Sequence, residues 1–519
     1  MTIYKHGSSA NNKTILHDGF IVKWKLRLNV WRISVPEPDP WLYPFLITHD
    51  SSGAARFFYD LPHIIIRTGI YNSETVAESP TAVTDPEESP LSSGQYPSKL
   101  FVEITTRCNL RCGMCVKQNG EGGIREGSML PEIFGALAPA FPHLKALILN
   151  GIGESLLHPD LEAYIRKARR SLPEGAWVGF QTNGMLLNYS RAASLLDAGL
   201  NLICLSLDAV SGDSFRLIRE GGEMKDIESA FTALSKASAR QGRRDFRIGI
   251  EFVLMRDNLE ELPSAIRWAA LRGATFAMVT QLLPYDKELV SRAAYDTNTA
   301  GAIAVYELWK SRAKAEGVDI GHYFDIFMKF TKTAEDLKII GFIDQMKNDA
   351  RSKGITVHLE RLLMRDEEWI GRVEQVFEEA RQTAKEHGID ITLPGTAPQN
   401  TRKCEFVEGD SAFVSWEGDV HPCYFLWHRY TCYIGGWQKH VKPWVFGNLR
   451  ERDILNIWNS VQFRSFRQNV LGYQFPFCYD CSFALCDYVQ EENFEQDCYV
   501  GSVPCGACLW CTGLFRCLQ

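Results

Sequence analysis

Short apolar runs alternate with longer amphipathic segments through the middle of the chain. Segments with helical periodicity lie at 158–170, 190–199, 224–240 and 258–271. The apolar, strand-like runs are 100–105, 146–150, 177–182, 202–207, 246–254 and 276–282. Six β/α units in succession predict a parallel sheet with right-handed crossovers. We therefore expect an α/β fold, a partial (β/α)6 barrel of the TIM type, with its site at the carboxyl ends of the strands.

The regions that flank these units have different patterns. Residues 22–30 alternate apolar and polar positions and 57–66 favour β-structure, which predicts a small β-rich unit. The next segment is rich in Ser, Thr, Pro and Glu and predicts a disordered linker. A mainly helical bridge follows the barrel. The expected units are thus a β-rich N-terminal unit, a linker, a core barrel, a helical bridge and a Cys-rich domain, at 1–71, 72–98, 99–285, 286–398 and 399–519.

The composition is that of an ordinary globular protein. Of 519 residues, 45% are hydrophobic and 23% are charged, and the formal net charge is -7. Without a stripe of Lys and Arg, this balance gives no electrostatic reason to expect nucleic acid as a partner. No apolar run approaches the roughly 18 residues of a membrane-spanning helix. The first residues lack the features of an export signal, so we expect a cytoplasmic protein.

The 15 cysteines fall into two groups. Three lie at 108–115 and eleven between 404 and 517, whereas Cys204 stands in an apolar strand, where a small buried side chain is expected. In a reducing compartment, thiols grouped in this way are typical of metal or redox sites. An exported protein with disulfides is the alternative.

Cys108, Cys112 and Cys115 directly follow the first predicted strand, with the spacing C-x3-C-x2-C. Three thiolates can hold three irons of a [4Fe–4S] cube, and without a fourth ligand nearby one iron stays open. An open iron can chelate S-adenosylmethionine (SAM) and reduce its sulfonium, which yields methionine and a 5′-deoxyadenosyl radical. A structural zinc site is the alternative, although such sites use four ligands.

This loop resembles the hallmark of the radical SAM superfamily, and the resemblance covers roughly 99–284. The turn from Gly151 to Glu154, which includes Gly153, is similar to the family's GGE motif, whose carboxylate receives the SAM ammonium. Met114 departs from the aromatic residue that the family often has there. The resemblance also implies SAM contacts at the ends of strands three and four, with the candidates Asn183, Ser206, Asp208 and Arg219. A solvated charge on a helix is the alternative for Arg219.

The Cys-rich tail resembles the SPASM extension of radical SAM maturases. Cys404, Gly418 and Cys423 have the spacing C-x13-G-x4-C, and the stretch 445–460 contains GNL and IWNS. The resemblance implies one or two auxiliary [4Fe–4S] clusters, with zinc ribbons as the alternative. The candidate ligands are Cys404, Cys423, Cys478, Cys481, Cys486, Cys498, Cys505, Cys508, Cys511 and Cys517. The family's C-x2-C-x5-C-x3-C becomes C-x2-C-x4-C at Cys478, Cys481 and Cys486, with no cysteine three residues further on, which leaves the ligand sets open.

Three tail residues, His421, His428 and Cys432, have no assigned role, and packing or solvation is the default for the histidines. Tyr424 stands where anaerobic sulfatase maturases have an Asp base, which argues against formylglycine formation.

The resemblance implies an enzyme that cleaves SAM reductively and modifies a protein or peptide, or matures the active site of a metalloenzyme. It also implies an electron donor such as ferredoxin or flavodoxin and an anaerobic setting. One alternative is a radical SAM enzyme that forms thioethers or crosslinks in ribosomal peptides. Another is a non-catalytic iron–sulfur carrier or electron-transfer protein. The identity of the substrate and the oligomeric state have no recognisable signal in the chain.

Overall fold

In the computed structural model, the chain divides into two compact units, 1–87 and 88–519. The structure describes five strands between residues 12 and 58, and then residues 94–119, 124–472 and 508–518. The predicted linker is therefore described only from residue 94. The strands of the first unit are β1 (Asn12–His17), β2 (Phe20–Lys25), β3 (Arg32–Ser34), β4 (Leu46–His49) and β5 (Ala55–Phe58). They form two antiparallel sheets, β1-β2-β3 and β4-β5.

The second unit contains a ten-stranded sheet and one further strand pair among its described residues. Its strands are β6 (Lys99–Val102), β7 (Ala146–Ile148), β8 (Trp177–Thr182), β9 (Leu202–Ser206), β10 (Arg247–Leu254), β11 (Phe276–Gln281), β12 (Asp390–Thr392), β13 (Ser411–Val414), β14 (Asp419–His421), β15 (Tyr430–Ile434), β16 (Trp437–Val441) and β17 (Gly447–Asn448).

Helices cross between these strands and continue beyond them. They are α1 (Val116–Asn119), α2 (Pro131–Gly135), α3 (Leu161–Arg169), α4 (Tyr189–Asp197), α5 (Gly212–Ile218), α6 (Met224–Gln241), α7 (Leu262–Ala270), α8 (Lys287–Val290), α9 (Ala300–Ala315), α10 (Tyr323–Phe327), α11 (Ala334–Ser352), α12 (Leu359–Leu363), α13 (Glu367–His387), α14 (Glu405–Glu408), α15 (Ile454–Trp458) and α16 (Val461–Gly472).

The strands β6 to β11 neighbour one another in chain order, and every pair among them is parallel. β12 extends the sheet beyond β11. On the other edge, β13 pairs with β6 in parallel, and β14 and β17 follow in antiparallel pairing. In the described chain β6 and β11 do not pair, so the sheet is open. This confirms the predicted α/β class with a parallel sheet.

The local sequence explains why these elements form. Every residue of β9 and β11 is buried, as expected for parallel strands that are covered on both faces. In α3 the buried residues are Leu161, Tyr164, Ile165 and Ala168, the spacing of one helix face. α4 begins after Asn188, whose side chain accepts a hydrogen bond from Arg191 N (2.9 Å). α6 ends at Gly242, in the left-handed region with φ 66°.

The C-terminal segment returns to the end of β11. Leu514 O accepts a hydrogen bond from Gln281 N (3.1 Å), and Arg516 N donates to Thr280 Oγ1 (3.2 Å). Gly513 O accepts from Gly395 N (2.9 Å). A second hydrophobic cluster lies within α9–α12, in the region predicted to be helical. The exact domain boundaries stay a prediction. Within the part of the chain described, no helix has the length and apolarity needed to cross a bilayer.

Candidate functional site

The parallel strands end at a cavity of about 270 Å³. Nine of the ten residues predicted for the cluster loop and for SAM line it, and they come from four separate strand ends. These residues are Cys108, Cys112, Cys115, Gly151, Gly153, Glu154, Asn183, Ser206 and Arg219. Asp208 does not line the cavity. The structure thus brings the cysteine loop and the SAM candidates together, while their individual roles stay predictions.

The cysteine loop follows β6 and turns at its third thiol, where Cys115 N donates to Cys112 O (3.0 Å). Burial raises the pKa of each thiol, that of Cys115 to about 11, and the positive charge of Arg219 opposes this in all three. Because thiolates are the ligands of an iron–sulfur cluster, cluster binding here would release protons. Asn183 Nδ2 lies 3.9 Å from Cys108 Sγ, which joins the loop to the end of β8.

The glycine turn after β7 lies against the backbone of the cysteine loop. A Cβ atom on Gly153 would be 2.3 Å from Thr105 O and 2.6 Å from Arg107 O. Glu154 N donates to the same Arg107 O (2.7 Å). Only glycine permits this approach, so the turn and the loop hold each other in place.

The Glu154 carboxylate is fixed by three donors in the cavity wall. It accepts hydrogen bonds from Thr182 Oγ1 (2.7 Å), Asn183 N (2.7 Å) and Leu156 N (3.0 Å). Glu154 is 3% exposed, and burial raises its pKa while these bonds and Arg219 oppose the rise. A rigid carboxylate in the wall suits the capture of an ammonium group.

Arg219 directly follows α5 and forms a buried ion pair with Asp208, with 2.7 Å between Nη2 and Oδ2. The alternative of a solvated charge is wrong, because Arg219 is only 7% exposed. Asp208 Oδ1 also accepts from Val253 N (2.8 Å). Burial raises the pKa of Asp208, and Arg219 opposes the rise. The Asp208 carboxylate holds Arg219 and lies outside the cavity lining, and its contact with SAM stays a prediction.

Three buried polar atoms of the cavity lining are without hydrogen-bond partners in the described chain, Asn150 Oδ1, Arg219 Nε and Arg516 Nε. Buried polar atoms are nearly always paired in folded proteins. Together with three thiols and Glu154, an unused acceptor and two unused donors suit a ligand that carries both amino and carboxylate groups. The residues present therefore fit a cluster with SAM bound at its open iron.

Several lining residues were not predicted to lie at this site. Glu251 on β10 lines the cavity, and burial raises its pKa to about 7 against the charge of Arg219. Its only signal was a carboxylate in an otherwise apolar strand. The tail contributes Tyr424, Trp427, Trp510, Phe515, Arg516 and Cys517 to the lining.

Four residues outside the lining have packing or pairing roles. His428 Nε2 lies 3.0 Å from the buried carboxylate of Glu103. His421 is buried, which lowers its pKa to about 3. Cys204 and Cys432 are both fully buried in the hydrophobic core, and this confirms the expectation for Cys204.

The candidate ligands in the described part of the tail lie in two separate places. Cys404, Cys423 and Cys508 lie close enough for their charges to interact: burial and then Cys508 raise the pKa of Cys404 to about 12. The Cys511 thiol donates to Cys508 O (3.4 Å), which adds a fourth thiol beside Cys508. Cys517 lies elsewhere, in the cavity lining, and burial raises its pKa to about 12. The candidates outside the described residues are Cys478, Cys481, Cys486, Cys498 and Cys505.

No three His, Cys, Asp or Glu side chains within 94–119, 124–472 and 508–518 converge closely enough to hold a single metal ion.

Two family models match the chain. Residues 102–269 match the radical SAM superfamily, and 404–482 match SPASM, an iron–sulfur cluster-binding domain. The chain is a radical SAM enzyme with a SPASM domain. The first domain uses a [4Fe–4S] cluster and SAM, and the second binds auxiliary iron–sulfur clusters.

Two curated relatives have sequences similar to this chain. The tungsten-containing aldehyde ferredoxin oxidoreductase cofactor-modifying protein of Pyrococcus furiosus is 28% identical over 423 residues, which span 80% of this chain and 96% of that protein. A GTP 3′,8-cyclase of Rhodopseudomonas palustris is 31% identical over 204 residues, which are 38% of this chain and 56% of the cyclase. This protein is thus similar to the cofactor-modifying protein along most of both chains. Its similarity to the cyclase extends over about half of the cyclase.

Two solved structures are also similar. Streptococcus suis SuiB bound to SAM has 12% identity and a TM-score of 0.43, covering 72% of this chain and 68% of SuiB. The SAM-bound anSMEcpe structure has 15% identity and a TM-score of 0.40, and the match covers 71% of this chain and 82% of anSMEcpe.

Proposed function

We propose that this enzyme cleaves SAM reductively and uses the radical to modify a protein or to mature the active site of a metalloenzyme. The observation that carries the proposal is one cavity that holds the cysteine loop, the glycine turn and Arg219. The relative named as a cofactor-modifying protein, matched over 96% of its length, supports the choice of a metalloenzyme cofactor.

Individual residues take distinct roles in this proposal. Cys108, Cys112 and Cys115 hold the cluster, and when bound it supplies the electron that opens the SAM sulfonium. Glu154 receives the ammonium of SAM. Arg219 receives its carboxylate, and Asp208 keeps the guanidinium in place.

The remaining wall of the cavity serves to exclude water. Leu282, Leu283, Trp427 and Phe515 line it with apolar surface. A carbon radical reacts with whatever hydrogen lies within reach, so a dry and shaped wall directs it to the intended substrate.

The proposed function also includes an electron donor, a class of substrate and a cellular location. The electron comes from a donor of the ferredoxin or flavodoxin type, and the substrate is a protein or peptide in the cytoplasm. Cys404, Cys423, Cys508 and Cys511 hold an auxiliary cluster, alone or with other tail cysteines. Modification of ribosomal peptides stays the alternative, and no contact in the described residues favours it.

Anaerobic SAM cleavage tests the proposal. Reconstituted protein with SAM and dithionite should form 5′-deoxyadenosine, and Cys112→Ala should abolish its formation while the tail keeps its iron. Cys432→Ala is the matched control, because that thiol is buried outside the cavity lining. Formation of 5′-deoxyadenosine by Cys112→Ala would refute the assignment of the loop, and none from the wild type would refute the function.

A further inference from the structure

A fourth thiol, Cys517, lines the same cavity as the three thiols of the cysteine loop. Its Sγ accepts a hydrogen bond from Trp510 Nε1 (2.9 Å). The carboxylate of Glu251, another lining residue, acts on the Cys517 thiol. The spacing along the chain groups Cys517 with the tail ligands, but the structure places it in the wall of the cavity with the three loop thiols.

The backbone just before Cys517 is held in this position by hydrogen bonds to the end of β11. Arg516 N donates to Thr280 Oγ1 (3.2 Å), and Gln281 N donates to Leu514 O (3.1 Å), so the segment is fixed to the end of β11. The Arg516 side chain also forms an ion pair with Glu405. The Cys517 thiol therefore has a fixed position in the cavity wall.

Asn150 gives independent evidence that the same cavity can bind a ligand. Its side chain is 7% exposed, and its Nδ2 donates to Gln181 Oε1 (2.7 Å). Its Oδ1 lacks a hydrogen-bond partner in the part of the chain that the structure describes. A buried acceptor of this kind calls for a donor from a bound molecule.

We propose that Cys517 is a catalytic hydrogen-atom donor to a carbon radical in this cavity, and not a cluster ligand. This rests on the proposed function, which supplies the radical. The S–H bond of Cys517 breaks as a C–H bond forms, which is downhill because S–H bonds are weaker than alkyl C–H bonds. The resulting thiyl takes one electron from a low-potential iron–sulfur or flavin donor, or from dithionite in vitro, and one proton from solvent.

The thiol hydrogen exchanges with solvent, so its transfer can be followed without knowing the substrate. Wild-type enzyme turning over SAM in D₂O with dithionite should form 5′-deoxyadenosine that carries one deuterium. Cys517→Ser keeps the size of the side chain but not the weak S–H bond. We expect its deuterated fraction to fall several-fold and its total yield to fall as well.

Two control variants separate this thiol from other exchangeable hydrogens. Tyr424→Phe removes an O–H group that lines the cavity, and Cys432→Ala removes a thiol outside the lining. Both should retain deuterium in the 5′-deoxyadenosine that they form. Equal deuterium in the wild type and Cys517→Ser overturns the proposal for Cys517 alone, whereas no 5′-deoxyadenosine from the wild type overturns both proposals.

Iron content gives a measurement that does not depend on turnover. In anaerobically reconstituted protein, the iron content of Cys517→Ser should equal that of the wild type, whereas Cys112→Ala should contain about four irons fewer. Loss of about four irons from Cys517→Ser would make Cys517 a cluster ligand and overturn the proposal.

Discussion

Arg219 lies in the cavity wall and forms an ion pair with Asp208. In Asp208→Asn the guanidinium stays buried without this ion-pair partner, which we expect to lower the free energy of unfolding by about 3–5 kcal/mol. Urea denaturation measures the loss. Asp390→Asn is the control, because Asp390 pairs with Arg247 at 2.9 Å on the surface and should lose less than about 1 kcal/mol. Similar losses in the two variants would contradict the role of Asp208.

Glu154 is the residue whose charge the proposed SAM site needs most. Glu154→Gln keeps the shape but removes the charge and replaces one acceptor oxygen by an NH2 group, so at least one of its three donors loses its acceptor. Hydrogen bonds to charged groups contribute about 1.5–3 kcal/mol, so SAM should bind roughly tenfold or more weakly. Equilibrium dialysis of reconstituted protein measures the affinity. The exposed Glu174→Gln should bind SAM as the wild type does, and an unchanged affinity in Glu154→Gln would reject the contact.

Glu251 makes stability depend on pH in a direction that its burial determines. Its pKa in the folded chain is about 7, above its ordinary value of 4.5. The unfolded chain therefore ionises first as the pH rises, and the stability that the protonated form contributes is lost between these two values. Relative to Glu251→Gln, the wild type should lose about 3 kcal/mol from pH 4.5 to pH 8. Urea unfolding at several pH values measures this, and parallel profiles would contradict it.

At the scale of elements, the glycine turn after β7 and the cysteine loop after β6 share one contact. A Cβ on Gly153 would overlap the loop backbone at Thr105 O, so Gly153→Ala should displace the loop and reduce its iron content. Gly371, in the middle of α13, has open space around its Cβ position, so Gly371→Ala should be neutral or stabilising by up to about 1 kcal/mol. Iron assays and thermal unfolding compare the two, and retention of full iron by Gly153→Ala would show that the contact is dispensable.

Local patterns predicted the elements well where local chemistry decides them. The strand predicted at 177–182 is β8, residue for residue. The helix predicted at 258–271 begins only at Leu262, because Pro263 lacks an amide hydrogen and is tolerated in the first turn alone. β13 had no clear signal, since its place beside β6 depends on pairing between residues about 300 positions apart.

At the scale of the whole molecule, the site residues divide into those that a local motif predicts and those that only the fold brings to the cavity. The cysteine loop and Glu154 could be predicted because each follows a strand directly and carries a local motif. Glu251, Tyr424 and Cys517 reach the cavity from distant segments, and no spacing encodes that. Cys517 shows the limit most clearly, because it stands six residues after Cys511 in the chain yet lies at the end of β11.

The tail is joined to the barrel sheet through β13, which pairs with β6. Cys423 follows β14, near Cys404 and Cys508, while the loop thiols lie across the cavity lining. If the tail thiols hold their own cubane, Cys423→Ala should lose about four irons per chain and keep the loop cluster. Iron and sulfide assays of anaerobically reconstituted protein measure this, with Cys432→Ala as the control for loss of a buried thiol. Because only the loop iron is open to SAM in this arrangement, Cys423→Ala should still bind SAM. An unchanged iron count would remove Cys423 from the ligand set, and loss of all iron would show that the two cluster sites fold as one.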